Sequence, residues 1–549
     1  MKKRRHPQKE SAPAPALPQL MMTQQQSSFS VGELLQVATL LKIAVNAHQA
    51  GQLEQAEIAY LGILDMDVNH LHSLTLLGLL CLQRGEHARS VVYLERSLTI
   101  DPKQPNALNN LATSLSTLER HEAALDCYDR ALLLNPSNAD THYNRGLTLK
   151  SLNRHEDALA SHEQAIALNP NKAETHNNKG VALYDIKRYE EAVASYETAI
   201  HLKPDYADAY YNLGIALNEL GRFEKAVASL NQATQFNPNY AAANWNKSLI
   251  QLLLGEYTEG WELYEWRWKY AASGLIEPYP LAQRWFRDIP LHGKTLLLHA
   301  EQGMGDCIQF SRYILLLAQQ GAHIILKTVP ALKDLMQTLP CELSVITDDD
   351  PLPAFDLHYP LLSLPHALNT TVESIPCSIP YLSANSDKLA TWSQCFKDTS
   401  KPNIGLVWSG STALKNDHNR GLVLELLEPL FAHDYTFHSL QKDVRPDDQI
   451  FLLKLPQLQQ HKLTDFSDTS AVIMQMDLVI SVDTSVAHLT GALGKPVWIL
   501  LPNVPDWRWM LHREDTPWYP SARLFRQGSE KTWPSVIQNV IAALASTFP

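Results

Sequence analysis

Five prolines, Pro102, Pro136, Pro170, Pro204 and Pro238, recur at an unbroken interval of 34 residues. Ala124, Ala158, Ala192 and Ala226 keep the same interval, as do Gly146, Gly180 and Gly214. A fixed period of this length means one supersecondary unit stacked on copies of itself. Two antiparallel helices fit the period: small residues allow the helices to approach, apolar residues at helical spacing fill the seam, and proline stops the second helix. Tyr128 and Tyr196 occupy the large position toward the end of a second helix. Clear units span residues 71–240. A weaker unit covers 37–70, with Val68 where proline is due, and another follows in "AAANWNKSLIQLLLGEYTEGWELYEWRW", with Gly260 in place of the small alanine. Degenerate outer units are what a solenoid needs to cap itself.

The pattern resembles the tetratricopeptide repeat, which implies an α-solenoid over residues 35–274. Asn110, Asn144, Asn178, Asn212 and Asn246 hold one place in five successive first helices, and in that family these helices line the concave face. Asparagine is a mediocre helix former, yet its amide both donates to and accepts from an extended backbone. Such a row either clamps a protein or peptide partner, or is inherited by duplication and bonds neighbouring helices. The row and the domain order are similar to O-linked N-acetylglucosamine transferases, whose repeats guide protein substrates to a C-terminal sugar-transfer domain.

Residues 1–34 begin basic and continue rich in Pro, Ala, Gln and Ser without an apolar core, which predicts a disordered tail rather than a secretory signal. A net charge of −12 argues against coating nucleic acid, and no apolar run is long enough for a transmembrane segment. The six scattered cysteines form no CxxC pair, which suits a reducing, cytoplasmic setting and gives no zinc framework.

After Pro290 the period gives way to alternating strands and helices. "KTLLLHA", "HIILKTV", "LSVIT" and "DLHYPLLSL" read as strands, and "DCIQFSRYILLLAQQG" and "ALKDLMQTL" as helices. A looser stretch over 383–402 precedes a second series. There "NIGLVWSG", "YTFHSLQ", "DLVISV" and "PVWILLP" read as strands, and "LELLEPLFAH", "DTSAVIMQM" and "SVAHLTGALG" as helices. Alternation of this kind predicts an α/β region with parallel sheets covered on both faces. Two series imply two Rossmann-like lobes, 275–385 and 386–549, with a ligand cleft at the carboxyl ends of the strands.

The short polar motifs fall at those ends. Asp483, Thr484 and Ser485 end a strand and open a helix, with His488 one turn on, an arrangement for an anion or simply a helix cap. Ser409, Gly410, Ser411 and Thr412, followed by Lys415 and Arg420, offer the hydroxyls and cations a diphosphate leaving group requires. Gln441 and Lys442 end a further strand within reach of a base or ribose. Gly303 and Gly305 in "EQGMGD" are read as letting the backbone turn sharply, with Asp306 facing the reaction centre. The spacing is not that of a dinucleotide-binding GxGxxG.

Over residues 293–528 these motifs resemble the ADP-heptose:lipopolysaccharide heptosyltransferase family. Its most specific element here is "SVDTSVAHLTGALGKPV", in which Ser485 replaces the family glycine. The resemblance implies a GT-B fold and transfer from a nucleotide-sugar co-substrate without metal or further cofactor. It makes the 275–385 lobe the acceptor side and the 386–549 lobe the nucleotide-sugar side. It casts Asp306 as general base and Asp483, Thr484 and His488 as donor-binding residues, with Lys415 or Arg420 neutralising the leaving phosphates. The expected activity is thus sugar transfer to an acceptor, with a protein hydroxyl guided by the asparagine row as the candidate. The competing readings are a non-catalytic repeat scaffold on a degenerate transferase fold, and a nucleotide-sugar epimerase on the same architecture.

Overall fold

The computed structural model describes residues 30–396, 400–410 and 420–549. Contacts divide the chain into two compact units, 1–170 and 171–549. Most of the expected tail lies outside the described residues, but residues 30–34 do not belong to it. Ser30 caps the first helix: its hydroxyl accepts from the Glu33 N–H, and the Glu33 carboxylate accepts from the Ser30 N–H at 2.8 Å.

The first unit is four helix pairs: α1 (Val31–Gln49) with α2 (Leu53–Met66), α3 (Leu71–Gln83) with α4 (His87–Ile100), α5 (Pro105–Thr117) with α6 (His121–Leu134), and α7 (Ala139–Ser151) with α8 (His155–Leu168). The second unit opens with three more: α9 (Ala173–Asp185) with α10 (Tyr189–Leu202), α11 (Ala207–Glu219) with α12 (Phe223–Phe236), and α13 (Ala241–Leu254) with α14 (Tyr257–Tyr264). Each periodic proline stands two residues beyond a second helix. The residue before it leaves the helical region, as at Asp101 (φ −132°, ψ 104°), which is extended, because the proline ring disfavours helical backbone there.

The periodic glycines are explained by what faces them. A Cβ on Gly146 would lie 2.5 Å from the His162 ring, and one on Gly180 would lie 2.5 Å from the Tyr196 ring. Each glycine admits the large residue of its partner helix. Gly180→Ala is therefore expected to destabilise the chain by about 1–3 kcal/mol through overpacking, although alanine is the better helix former by about 1 kcal/mol. Urea unfolding checks this; a stabilised variant would show that the ring yields freely.

Two parallel sheets follow. β1 (Thr295–His299), β2 (His323–Lys327), β3 (Leu343–Ile346) and β4 (Leu357–Pro360) lie in the order β3-β2-β1-β4. The second sheet holds β5 (Asn403–Val407), β6 (Thr436–Ser439), β7 (Leu458–Gln460), β8 (Leu478–Val482), β9 (Val497–Leu501) and β10 (Ala522–Arg526), in the order β10-β9-β8-β5-β6-β7. Strands β5, β8 and β9 are buried along their whole length, which is why they read as apolar runs rather than alternating patterns. Helices α15 (Met304–Phe310), α16 (Ile314–Gln319), α17 (Lys333–Met336) and α18 (Leu364–Ala367) accompany the first sheet. With the second run α19 (Ser386–Ser393), α20 (Pro446–Leu452), α21 (Phe466–Ile473), α22 (Ser485–Ala492) and α23 (Pro534–Thr547). The second core gathers Ile404, Leu406, Phe437, Ile480 and Leu500 with Val536 and Val540 of α23.

Several local expectations change. "LELLEPLFAH" is a 3-10 helix, Leu424–Ala432, because Pro429 inside it has no N–H for an α-helical ladder. The long helix after β1 is interrupted by a 3-10 turn at Ser311–Tyr313. "DLHYPLLSL" leaves the sheet after Pro360 and turns into helix. The stretch read as loose contains α19, capped by Asn385; its Lys388 and Trp392 reach Asp468 at 2.8 and 3.0 Å. The last repeat pair packs on the sheet region within the second unit. Trp261 meets Trp507 and Phe310 edge-on at 5.1 and 6.1 Å.

Candidate functional site at the strand ends

In each sheet the strand order reverses once, between β1 and β4 and between β5 and β8. Chains leave such neighbouring strands toward opposite sides, which opens a crevice at their carboxyl ends. The post-β1 and post-β8 segments occupy those two places, and α15 packs against α22.

Glycine does not make the turn after β1. The left-handed residue there is Gln302 (φ 70°); Gly303 is extended (φ −86°) and Gly305 is helical. Gly305 instead permits contact: a Cβ on it would lie 3.0 Å from His488 Cδ2 and 3.3 Å from Ser485 Cα. Gly303 leaves room for Asp306, whose Oδ2 accepts from the Gly303 N–H at 2.8 Å. The other Asp306 oxygen accepts from Arg508. Burial raises the Asp306 carboxyl above its ordinary value, opposed by the Arg508 charge and the Gly303 N–H.

Arg508 is the residue that sequence reading missed. It donates to Gln309 Oε1 at 2.6 Å and Asp506 Oδ1 at 2.8 Å as well as to Asp306, and its guanidinium lies 4.3 Å from the Trp507 ring centre. It follows β9 while Asp306 and Gln309 follow β1, so one side chain joins the loops of both sheets. The signal was present as an arginine between two tryptophans, "DWRW", just past an apolar strand.

Asp483 lies beside this cluster. Burial and the neighbouring Asp506 raise its carboxyl to about 6, with Arg508 and Arg420 opposing. His488 Nε2 stands 3.9 Å from Asp483 Oδ1, Nδ1 bonds the Tyr519 hydroxyl at 3.0 Å, and the ring stacks on Trp509 at 5.3 Å. Burial holds His488 well below its ordinary value, so the imidazole is neutral. Thr484 is the N-cap residue of α22; its side chain makes no capping bond and lies 3.0 Å from the Ser481 hydroxyl. Ser485 begins the helix.

After β5, Ser409 is buried with a hydroxyl that has no partner among the described residues. Gln441 brackets this loop: its Oε1 accepts from the Trp408 and Ser409 N–H groups at 3.2 Å, and its Nε2 donates to the carbonyls of Ser409 and Asp443. Its amide therefore positions backbone. Gly410 is half-buried. Ser411, Thr412 and Lys415 lie outside the described residues.

A cleft of about 770 Å³ is lined by Arg420, Asp483 and Asp506 from the post-strand loops, Lys531 and Trp533 beyond β10, and Lys187 and Asn246 from the repeats of the same unit. Within 171–549, the asparagine row bonds its neighbours. Asn212 Nδ2 donates to Asn177 Oδ1 at 3.0 Å, and Asn246 Nδ2 donates to the Tyr211 hydroxyl at 3.4 Å and to the Ala242 carbonyl of its own helix at 2.8 Å. Asn178 is half-buried, and in 1–170 Asn110 and Asn144 are too.

Among described residues no helix is long and apolar enough to cross a membrane. The tetratricopeptide repeat family matches residues 71–104, 105–138, 139–172 and 207–240, and a further TPR repeat model matches 182–221. Protein FlbA of Caulobacter vibrioides is 26% identical over 323 residues, covering 54% of this chain and 54% of FlbA. The chain thus matches about half the length of that relative. Among solved structures, YrrB, a TPR protein with an unusual peptide-binding site, is 24% identical with a TM-score of 0.32, covering 35% of this chain and 98% of its own. A tetratricopeptide repeat protein from Parabacteroides merdae is 18% identical with a TM-score of 0.36, covering 44% and 95%. Tetratricopeptide repeats are present in the N-terminal region of this chain, ahead of its parallel sheets.

Proposed function

We propose that residues 275–549 form a GT-B-type glycosyltransferase using a nucleotide-sugar donor, and that the repeats present a protein or peptide acceptor to it. The observation that carries the reading is the meeting of the two strand-order reversals, Asp306 after β1 and Asp483 with His488 after β8, beside a cleft bearing Arg420. The acceptor hydroxyl attacks the anomeric carbon, the bond from that carbon to the diphosphate breaks, and Asp306 takes the hydroxyl proton. The diphosphate leaves toward the start of α22, neutralised by Arg420 or Lys415, of which only Arg420 is among the described residues. Ser409 and Gly410 line the donor side after β5. The free cysteines, Cys81, Cys127 and Cys307 among them buried, fit a cytoplasmic setting.

One observation favours the non-catalytic scaffold. Both Asp306 oxygens are engaged, by Arg508 and the Gly303 N–H, as a structural clasp would have them. The readings part on donor binding. A panel of nucleoside diphosphate sugars and free nucleotides is tested by thermal shift on the full chain. A donor at one hundred times its dissociation constant is expected to stabilise the protein by about 2.7 kcal/mol, and Arg420→Ala is expected to weaken that shift. No shift with any nucleotide would leave the scaffold.

A further inference from the structure

A second cluster of polar side chains lies in the first sheet, apart from the Asp306–Arg508 cluster. His299 closes β1, His358 sits in β4, and Glu277 belongs to the link that precedes β1. The register pairs Leu297 with His358 and His299 with Pro360. Alternation along a strand therefore puts both histidines on one face. Glu277 Oε1 reaches to 3.7 Å from His299 Nε2 and 3.8 Å from His358 Nδ1, and the three atoms lie within 4.8 Å of one another.

None of these three atoms has a hydrogen-bond partner among the described residues. His299 is 4% exposed and His358 0%. The second polar atoms of His358 and Glu277 are placed. His358 Nε2 donates to the Pro280 carbonyl at 3.0 Å, which leaves Nδ1 as the nitrogen facing Glu277. Glu277 Oε2 accepts from Arg284 at 3.1 Å. A lone pair and a carboxylate oxygen brought together in a buried pocket repel each other unless something electrophilic stands between them.

We propose that Glu277, His299 and His358 supply three ligands to one zinc-class dication. Two imidazoles and one carboxylate suit a borderline transition metal rather than magnesium or calcium, which favour oxygen ligands throughout. Tetrahedral bonds of about 2.0–2.1 Å set donors about 3.3–3.4 Å apart. The two glutamate–histidine distances are a few tenths of an ångström wider, within reach of small side-chain rotations. The Pro280 carbonyl is the outer hydrogen-bond partner that orients a metal-bound histidine. Nearby cations are already matched: Arg267 by Glu265 and Glu301 at 2.7 and 2.8 Å, Arg284 by Glu265 at 2.7 Å, and Lys327 by Asp348 at 2.8 Å. The metal would fasten the 277–285 link across β1 and β4, next to the point where the Trp285 N–H donates to the His358 carbonyl at 2.9 Å.

The test uses the full chain, stripped with chelator, reloaded with Zn²⁺ or Co²⁺ and passed through gel filtration. About one metal per chain is expected to remain by elemental analysis. The cobalt form is expected to show the visible absorption of a low-coordinate N/O site. Glu277→Gln, nearly isosteric, and His299→Gln are each expected to weaken retention at least tenfold and to abolish the cobalt band. They are also expected to remove the rise in melting temperature on loading. Cys377 and Cys395 are exposed free thiols, a competing class of metal ligand, so comparison with the variants decides. Substoichiometric retention by the parent chain, or equal retention and spectra in Glu277→Gln, would overturn the site. Neither result bears on nucleotide binding.

Discussion

Arg508→Met is expected to lower the unfolding free energy by about 3–5 kcal/mol, the cost of removing one partner from a buried ion pair. The Arg508 side chain is 9% exposed and that of Asp306 18%. The arginine donates to two carboxylates and to Gln309, from loops that follow strands of different sheets. Methionine keeps the length and apolar bulk of the side chain, so the loss isolates the charge and its hydrogen bonds. The Asp306 carboxylate would then be left mostly out of water without its hydrogen-bonded counter-charge, and that abandoned group, rather than the missing attraction, supplies most of the penalty. The double variant Arg508→Met/Asp306→Asn is accordingly expected to recover at least about 1 kcal/mol relative to additivity. Arg508→Lys should fall between, because a lysine ammonium cannot fork between two carboxylates. Urea unfolding followed by tryptophan fluorescence reads these changes close by, since Trp507 and Trp509 flank the residue. A loss under about 1 kcal/mol for Arg508→Met would mean that the two loops are held by their aromatic contacts alone.

How legible this molecule is depends on the kind of constraint. The repeats declare themselves because packing imposes similar demands every 34 residues: glycine opposite a large side chain of the partner helix, and proline where a helix must stop. The central strands declare themselves by continuous apolar runs. The short edge strand β7 has three residues, and β10 carries two arginines, so neither offers such a run. Residues such as Arg508, or Glu277 with His299 and His358, belong to no spacing pattern; only the fold brings them together. "GMGD" shows how a correct emphasis can carry a wrong reason. Its second glycine matters, but for close approach to His488 rather than for a turn, and no local sequence rule contains the helix that arrives from nearly two hundred residues away. The asparagine row was equally visible, and the hydrogen bonds of Asn212 and Asn246 to their neighbours could not be.

Asp306→Asn is expected to cut turnover by about 10²–10⁴-fold, the usual contribution of a positioned general base, once a donor has been identified by thermal shift. The amide keeps the shape of the carboxylate, and its oxygen can still accept from Arg508 or Gly303, but it cannot take up the acceptor proton. KM for the nucleotide sugar should change little, because donor binding falls in the proposed mechanism to Arg420 and the post-β8 loop rather than to Asp306. The pH dependence supplies a second, independent sign. Burial raises the folded-state value of Asp306 above its unfolded value of 3.8. The folded chain therefore keeps this proton to higher pH than the unfolded chain, and stability falls as pH rises between those two values. Over the same window the catalytic limb rises, as the carboxylate becomes free to act as base. Asp306→Asn should flatten both limbs, where a clasp alone would alter only the stability limb. Measuring nucleoside diphosphate release with and without acceptor separates transfer from hydrolysis. Full turnover in Asp306→Asn would remove the residue from the role of base and leave it as the partner of Arg508.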